Sequence, residues 1–157
     1  MGCFFFKNGV LRYRVVQAIY AMIGPDMKPE ADMPAPIRIL LVDDQIVFKE
    51  AVIRLLARAP EVEFVGETRA GEADLTYIQD RQPHIVLLAQ NLTTLTTIHF
   101  LRAALPEAKI IVMPLLDSFG YRKAVLTAGA NECIVKSDAF AELLPAIRRV
   151  VGAAMPQ

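Results

Sequence analysis

Five short runs of branched apolar residues recur along most of the chain, and a stretch with helical periodicity follows each run. The predicted strands cover residues 37–42, 62–65, 85–88, 110–113 and 133–135. The predicted helices cover residues 46–59, 71–81, 96–105, 121–128 and 139–151, and Ser137 and Asp138 are expected to cap the last one. Strands this apolar leave no face for solvent. The pattern therefore predicts an α/β fold, a doubly wound parallel sheet of five strands with helices on both faces.

The composition fits one globular domain and argues against several other classes of protein. The chain has 157 residues, of which 54% are hydrophobic, enough to build one core. Lysine plus arginine and aspartate plus glutamate number 17 each, so no strong positive field favours nucleic acid and we expect no direct contact with it. Cys3 and Cys133 have neither C-x-x-C spacing nor a companion histidine cluster, which predicts neither a zinc site nor a disulfide framework. A reducing cytoplasm is the expected location.

The first 36 residues differ in character from the rest of the chain, and three segments are predicted: an extension (1–36), a domain (37–151) and a tail (152–157). Residues 10–23 have the pattern of one short amphipathic helix, too short to span a bilayer. A proline-rich linker comes after it. Contact of residues 1–23 with a membrane surface stays open at this point, as does a translation start at Met27 or Met33.

The ends of the predicted strands carry the residues of greatest chemical interest. In doubly wound sheets, ligands bind beyond the carboxyl ends of the strands. Asp43 and Asp44 end the first strand, whereas Ala89, Pro114 and Lys136 stand at the ends of the third, fourth and fifth. The pocket at this edge is therefore predicted to contain two carboxylates, one ammonium group and two side chains with no polar atom.

Common catalytic patterns are missing from these ends. The two acids are adjacent rather than spaced as the Asp-x-Asp of haloacid-dehalogenase phosphatases, and no G-x-G-x-x-G follows any strand. His84 and His99 have no serine or cysteine partner at a strand end. We therefore expect no enzymatic activity.

Residues 37–151 resemble the receiver domain of bacterial two-component response regulators, and are closest to the LuxR/NarL-type receivers that precede a DNA-binding helix-turn-helix. The resemblance is carried by IRILLVDDQIVFKEAVIRLLARAPEVEFVGETRAGEADL, P-x-IVLL, LRAALPEAKIIVM and AGANECIVKSD. It implies a flavodoxin-like (CheY-like) fold with the βα unit repeated five times, and a role in phosphorelay signal transduction.

The resemblance also implies a phosphorylation site that this chain matches only in part. In the family, an acidic pair holds Mg²⁺ and an aspartate after the third strand accepts the phosphoryl group. A Thr or Ser after the fourth strand and a Lys after the fifth contact the phosphoryl oxygens. Asp43 and Asp44 match the acidic pair and Lys136 matches the lysine, whereas Ala89 occupies the phosphoacceptor position and Pro114 the hydroxyl position.

Two further departures accompany these. Cys133 stands where the family has an aromatic switch residue, and the loop that begins with Gln90 and Asn91 is shorter and lacks glycine. Neither amide is a useful nucleophile, and Ala89 offers no oxygen. These losses together predict a degenerate receiver, a pseudo-receiver that takes no phosphate.

Two interpretations of the retained charged residues, Asp43, Asp44 and Lys136, stay open. The pair of carboxylates could attract Mg²⁺ weakly or not at all, with no other cofactor expected. Alternatively, the Lys136 ammonium reaches across to Asp43 or Asp44 and neutralises the acidic pair. The first interpretation would make the chain a small-ligand or metal sensor.

The remaining prediction is recognition of another protein. In receivers, the face formed by the fourth helix, fifth strand and fifth helix pairs with partners, and the matching stretch carries Tyr121, Arg122, Lys123, Arg148 and Arg149. The expected partner is a histidine kinase, a transcription regulator or another receiver, with a homodimer left open. A stand-alone interaction module is the favoured interpretation, and the remnant receiver of a DNA-binding regulator is the alternative.

Overall fold

The computed structural model describes residues 35–43, 45–69, 75–89 and 94–152. The strands of the described part are β1 (Ile37–Asp43), β2 (Val62–Thr68), β3 (Ile85–Ala89), β4 (Lys109–Val112) and β5 (Glu132–Cys133). Its helices are α1 (Ile46–Leu56), α2 (Leu75–Arg81), α3 (Thr94–Ala104), α4 (Phe119–Ala128) and α5 (Ala139–Gly152), with a 3₁₀ turn over Lys136–Asp138. All strand pairs are parallel and the order is β2-β1-β3-β4-β5. The predicted fold class is confirmed.

Successive residues of β1 face two separate hydrophobic cores. Ile39 and Leu41 pack on one face of the sheet with side chains from α1 and α5. Leu40 and Val42 pack on the other face with side chains from α2, α3 and α4. Both faces are therefore buried, as the uniformly apolar strands predicted, because side chains alternate between the faces of a strand.

Strand β2 is longer than its apolar run predicted and extends to Thr68. Gly66 and Glu67 interrupt the apolar pattern, yet they pair with Leu40 and Leu41 of β1 after a shift in register. Backbone pairing does not require an apolar side chain, so periodicity alone misses this part of the strand. The position of Gly66 is also tight, since a Cβ there would lie 2.7 Å from the Arg81 Nε.

Other boundaries differ by small amounts for local reasons. Helix α1 ends at Leu56 because the next residues form a tighter, 3₁₀-type turn, in which the Arg58 N–H donates to the Leu55 carbonyl. Helix α4 begins earlier than predicted because the Ser118 hydroxyl caps it, accepting the Tyr121 N–H at 3.2 Å. Strand β5 covers Glu132–Cys133 instead of residues 133–135. Residues 136–138 form a 3₁₀ turn that leads into α5, and the cap at Ser137 and Asp138 stays a prediction.

Several predictions concern segments outside the described residues. These include the helix over 10–23, the proline-rich linker up to residue 34, the start of the helix predicted at 71 and the tail from residue 153. Within the described residues, every helix is too short or too polar to cross a bilayer.

Candidate functional site

The carboxyl ends of β1 and β3 lie side by side, with Asp43 paired in register to Ala89. Asp43 is 2% exposed and Ala89 is 0% exposed. The two residues lie on the sheet face that also carries Leu41 and Leu87, because each is two positions further along its strand. A buried carboxylate therefore has a methyl group beside it in the neighbouring strand. Asp44, Gln90 and Asn91 are outside the described residues.

The Asp43 carboxylate helps to shape the turn between β1 and α1. Its Oδ1 accepts the backbone N–H of Gln45 at 2.8 Å. This contact is the local side chain to backbone bond by which aspartate stabilises a turn two residues on. The carboxylate thus has a structural role that requires no ligand.

The Lys136 side chain is buried, with only 7% of the residue exposed, and it points towards the same turn. Its Nζ donates to the Gln45 Oε1 at 3.1 Å and lies 4.6 Å from the centroid of the Phe48 ring. The amide and the ring stabilise the ammonium through a hydrogen bond and a cation–π contact. The ammonium therefore contacts Gln45 rather than Asp43 within the described residues. The expected contact with Asp44 stays a prediction, because Asp44 lies outside them.

Sequence reasoning missed Gln45 and Phe48 as partners of the lysine. The two hydrogen-bonded side chains are 91 positions apart in the chain, and no local pattern marks such a pair. The one available signal is the place of Gln45 in the turn directly after the acidic pair. An amide there is well placed to bond any polar group that the fifth strand brings to this edge.

The two other positions at this edge lack the groups that contact a phosphoryl oxygen. Pro114 is buried after β4, and its carbonyl accepts the Lys136 N–H at 2.8 Å. Cys133 ends β5, where burial raises the pKa of its thiol and disfavours the thiolate. The Cys133 carbonyl accepts the Arg122 Nη1–H at 2.9 Å. Both backbone carbonyls are thus used inside the protein, and neither side chain supplies a hydroxyl group or an aromatic ring.

The described residues do not fit the magnesium site that the family resemblance implies. Mg²⁺ requires several oxygen ligands in octahedral geometry. Ala89 has no side-chain oxygen, and one Asp43 oxygen accepts the Gln45 N–H. In the described ranges, no three histidine, cysteine or acidic side chains form a group that could hold a metal ion. The expectation of weak or absent Mg²⁺ binding stays a prediction.

The predicted interaction face divides into parts that point in different directions. Arg148 of α5 forms an ion pair with Glu61, directly before β2, at 2.8 Å. Arg149 forms one with Glu132 of β5 at 3.2 Å. Since β2 and β5 are the opposite edges of the sheet, the two arginines do not share one surface. Arg148 therefore lies apart from the other predicted interface residues.

The remaining members of that face lie on α4 and differ in their contacts. The Tyr121 hydroxyl donates to the Thr94 Oγ1 of α3 at 3.1 Å. Arg122 forms an ion pair with Asp117 at 3.2 Å, and this hydrogen-bonded contact raises the pKa of the guanidinium. Lys123 is exposed, and no ion pair joins it to any residue in the described ranges. It is thus the member of the face that is most available to a partner.

Comparison with known proteins agrees with this fold. Residues 39–148 match the response regulator receiver domain family. The transcriptional regulatory protein DegU of Brevibacillus brevis is 28% identical over 117 residues, which cover 73% of this chain and 50% of DegU. The nitrate/nitrite response regulator protein NarL of Escherichia coli strain K12 is 27% identical over 123 residues, covering 76% and 57% of the two chains.

A solved structure gives the same result. The two-component response regulator of the LuxR family from Aurantimonas sp. SI85-9A1 has a TM-score of 0.69 and 27% identity, and the match covers 78% of this chain and 90% of that one. The chain spans about half the length of the curated relatives DegU and NarL. The family match includes residues from every strand of the sheet. This chain therefore belongs to the response regulator receiver domain family of two-component signalling, with LuxR/NarL-type relatives.

Proposed function

We propose that this protein is a degenerate receiver that acts in signal transduction by binding another protein without being phosphorylated. The observation that carries the proposal is Ala89, buried at the end of β3 beside Asp43. The family resemblance puts the phosphoacceptor aspartate at this position. A methyl group has no lone pair with which to attack phosphorus, and the buried position leaves little room for another nucleophile.

The contacts of the neighbouring residues support the same proposal. Lys136, which would contact a phosphoryl oxygen, instead donates to Gln45 and lies against Phe48. Pro114 has no hydroxyl group with which to follow a phosphoryl group, and Cys133 has no aromatic ring to reorient. A switch with these substitutions has lost the parts that would make its two states differ.

A domain held in one conformation can still bind a partner. Binding requires only that the conformation present in solution is the one the partner recognises, and no trigger is needed when that conformation is already dominant. The proposed partner is a histidine kinase, a transcription regulator or another receiver. On this proposal the protein is cytoplasmic, has no enzymatic activity and contacts no nucleic acid directly.

Phosphotransfer is the direct test of the proposal. The purified chain is incubated with acetyl phosphate and Mg²⁺ beside an ordinary receiver, and intact mass spectrometry measures the gain of a phosphoryl group. We expect no gain for this chain and a clear gain for the control. Acid-labile, Mg²⁺-dependent labelling of this chain would contradict the proposal.

Partner binding provides a second test of the proposal. Pairwise binding to the kinases and response regulators of the source organism is measured with and without beryllofluoride, which mimics the phosphoryl group in ordinary receivers. We expect at least one partner whose affinity for this chain is the same in both conditions. A partner that is not itself a receiver and binds this chain only with beryllofluoride would contradict phosphorylation-independent action.

A second candidate function comes from the relatives. DegU is a transcriptional regulatory protein, and this chain matches half of its length. The same receiver could serve a DNA-binding output domain, either in one polypeptide or on a neighbouring gene. Immunoblotting of the native protein, together with the DNA sequence downstream of codon 157, separates this candidate from a stand-alone module.

A further inference from the structure

An open groove of about 400 Å³ runs between α3 and α4. Its lining includes Leu95 and His99 of α3 and Gly120, Lys123, Ala124 and Ala128 of α4. These positions recur every three or four residues on each helix, so each helix presents one face to the groove. The lining includes none of the described edge residues Asp43, Ala89 and Lys136.

Three of the five α4 residues that line the groove have very small side chains. Gly120, Ala124 and Ala128 follow one another at intervals of four residues, so they stack on one face of the helix. A Cβ added at Gly120 would meet no heavy atom within 4 Å. Across the groove, Leu95 is 43% exposed, a large fraction for an aliphatic side chain. The floor is therefore apolar and open to solvent.

Polar contacts tie the two helices together at both ends of the groove. At one end the Tyr121 hydroxyl donates to the Thr94 Oγ1 at 3.1 Å. At the other end the Arg102 Nε–H donates to the Gly129 carbonyl at 2.8 Å. A groove whose walls are held in this way needs little rearrangement to accept a ligand, which reduces the entropic cost of binding.

The charge of the groove selects the chemistry of its occupant. Lys123 lines it, and no described residue forms an ion pair with this ammonium, whereas Arg122, Arg148 and Arg149 all have acidic partners. None of the residues that line the groove is acidic. An apolar floor with a basic group beside it complements a helix that has one apolar face and carboxylates along its border.

We propose that the α3/α4 groove binds an acidic amphipathic helix of a partner protein, with its apolar side chains over Gly120 and Ala124 and a carboxylate paired with Lys123. This inference rests on the proposed function, because it names the chemistry of the partner. It also places the contact between α3 and α4, whereas the sequence prediction placed it on α4, β5 and α5.

The test uses the full chain and a displayed library of amphipathic helical peptides. The apolar face of the peptides is varied among aliphatic residues, and the border positions carry Glu, Gln or Lys. We expect peptides with Glu at the border to be enriched. Amide shifts in nuclear magnetic resonance spectra should then map the enriched peptides to Leu95, Ala124 and their neighbours. No enrichment, equal enrichment of the three classes, or shifts elsewhere on the domain would overturn the proposal.

Two glycines provide a matched pair of variants. Gly120 and Gly152 are both exposed helical residues at which an added Cβ would meet nothing within 4 Å, but only Gly120 lines the groove. Gly120→Leu should fill the groove and weaken peptide binding at least about tenfold, whereas Gly152→Leu should leave the affinity within about twofold. Circular dichroism checks that both variants fold. Equal affinities of the two variants would exclude the groove as the binding site.

Charge reversal and self-association complete the test. Lys123→Glu should lose the Glu peptides and select Lys peptides from the same library, whereas an unchanged selection would overturn the proposed pairing. Sedimentation equilibrium of the full chain asks whether a second copy fills the groove. A dimer that Gly120→Leu dissociates and Gly152→Leu preserves would replace the proposed partner with a second copy.

Failure of this inference is distinguishable from failure of the proposed function. Phosphoryl transfer to the chain would contradict the proposed function and would leave peptide selection by the groove unaffected. Partner binding that is unaffected by beryllofluoride and also by Gly120→Leu would uphold the proposed function and exclude the groove.

Discussion

The carboxyl edge of the sheet and the α3/α4 groove differ in how their polar groups are satisfied. At the edge, Asp43 accepts the Gln45 N–H, and the Lys136 side chain donates to the amide of the same residue. In the groove, Lys123 forms no ion pair with any residue that the structure describes. Asp43 and Lys136 are therefore hydrogen-bonded inside the fold, while the surface between α3 and α4 is open to solvent.

The difference has a simple physical cause. Polar groups at the end of β1 and after β5 are buried, and a buried polar group without a partner costs free energy, so internal contacts form where no ligand is available. The ammonium of an exposed lysine is hydrated and needs no protein partner. Burial thus favours internal bonding at the edge, and exposure keeps the groove available.

The largest expected effect comes from returning a carboxylate to the edge. Ala89→Asp should lower the free energy of unfolding by about 3 kcal/mol in the absence of metal, because the new charge would be buried next to Asp43. The asparagine of Ala89→Asn has nearly the same shape as aspartate without the charge, so this variant should lower the free energy of unfolding by a smaller amount. Urea denaturation measures both variants. A loss in Ala89→Asp no larger than that in Ala89→Asn would show that the edge tolerates a second buried charge.

The same variant tests whether one residue restores the switch. We expect Ala89→Asp alone to give no phosphorylation-dependent conformational change, because Pro114 and Cys133 still lack the hydroxyl group and the aromatic ring. Nuclear magnetic resonance spectra with and without beryllofluoride measure this. A full, domain-wide response of the single variant would mean that the other substitutions matter less than proposed.

The next largest effect is expected at the groove. The Arg102 guanidinium donates to the carbonyls of Gly129 and Ala108 and to the Asn131 Oδ1, and burial lowers its pKa. Arg102→Ala should cost about 2 kcal/mol, since it removes several charged hydrogen bonds at once. Arg54→Ala, an exposed change on α1, should stay within about 0.5 kcal/mol. Equal losses in urea denaturation would show that the Arg102 contacts do not hold α3 against α4.

A smaller effect is expected from the ion pair at the β2 edge. A hydrogen bond from its own backbone amide and the contact with Arg148 lower the pKa of Glu61 below its usual 4.5. A lowered folded-state pKa stabilises the protein above about pH 4.5, and this stabilisation is lost as the pH falls through the folded pKa. Since Arg148 is 60% exposed, Glu61→Gln should cost only about 0.5 kcal/mol at neutral pH.

The pH dependence of that variant is the sharper measurement. The stability difference between the wild type and Glu61→Gln should disappear in acid, where the carboxyl group is protonated. Glu50→Gln, at an exposed position on α1, provides the control and should show a smaller difference at neutral pH. A Glu61→Gln difference that persists at low pH would assign the effect to packing instead of charge.

The smallest effect, no change at all, is expected from Mg²⁺. The melting temperature should stay constant during a Mg²⁺ titration, because Ala89 supplies no ligand and Asp43 already bonds Gln45. Asp43→Asn is the control, and it should respond to Mg²⁺ as the wild type does. Saturable stabilisation that Asp43→Asn abolishes would favour the metal-sensor interpretation.

Much of the fold could be predicted from local sequence pattern, and the exceptions are instructive. Apolar runs marked β1 and β3 well, because those strands are buried on both faces. The second half of β2 was missed, since Gly66 and Glu67 form ladder bonds through their backbone while their side chains break the apolar pattern. The apolar pattern of a sequence reports which side chains are buried. It therefore does not detect strand residues that pair through their backbone without burying an apolar side chain.

The interaction face shows a different kind of failure. Arg148 and Arg149 are adjacent in sequence and were assigned to one surface, yet they pair with Glu61 and Glu132 at opposite edges of the sheet. Adjacent helical residues are about 100° apart around the axis, so neighbours in sequence point in different directions. The position of α5 across the sheet then decides which acid each arginine meets.

The sequence by itself determined the βα repeat, the burial of the strands on both faces, and the methyl group of Ala89, at the position where the family resemblance puts the phosphoacceptor. These properties depend on the periodicity and identity of residues near one another in the chain. Only the tertiary structure decided that Lys136 bonds Gln45, that Arg148 and Arg149 separate, and that a groove opens between α3 and α4. Such contacts join residues far apart in the chain, and strand order, register and helix packing determine which of them meet.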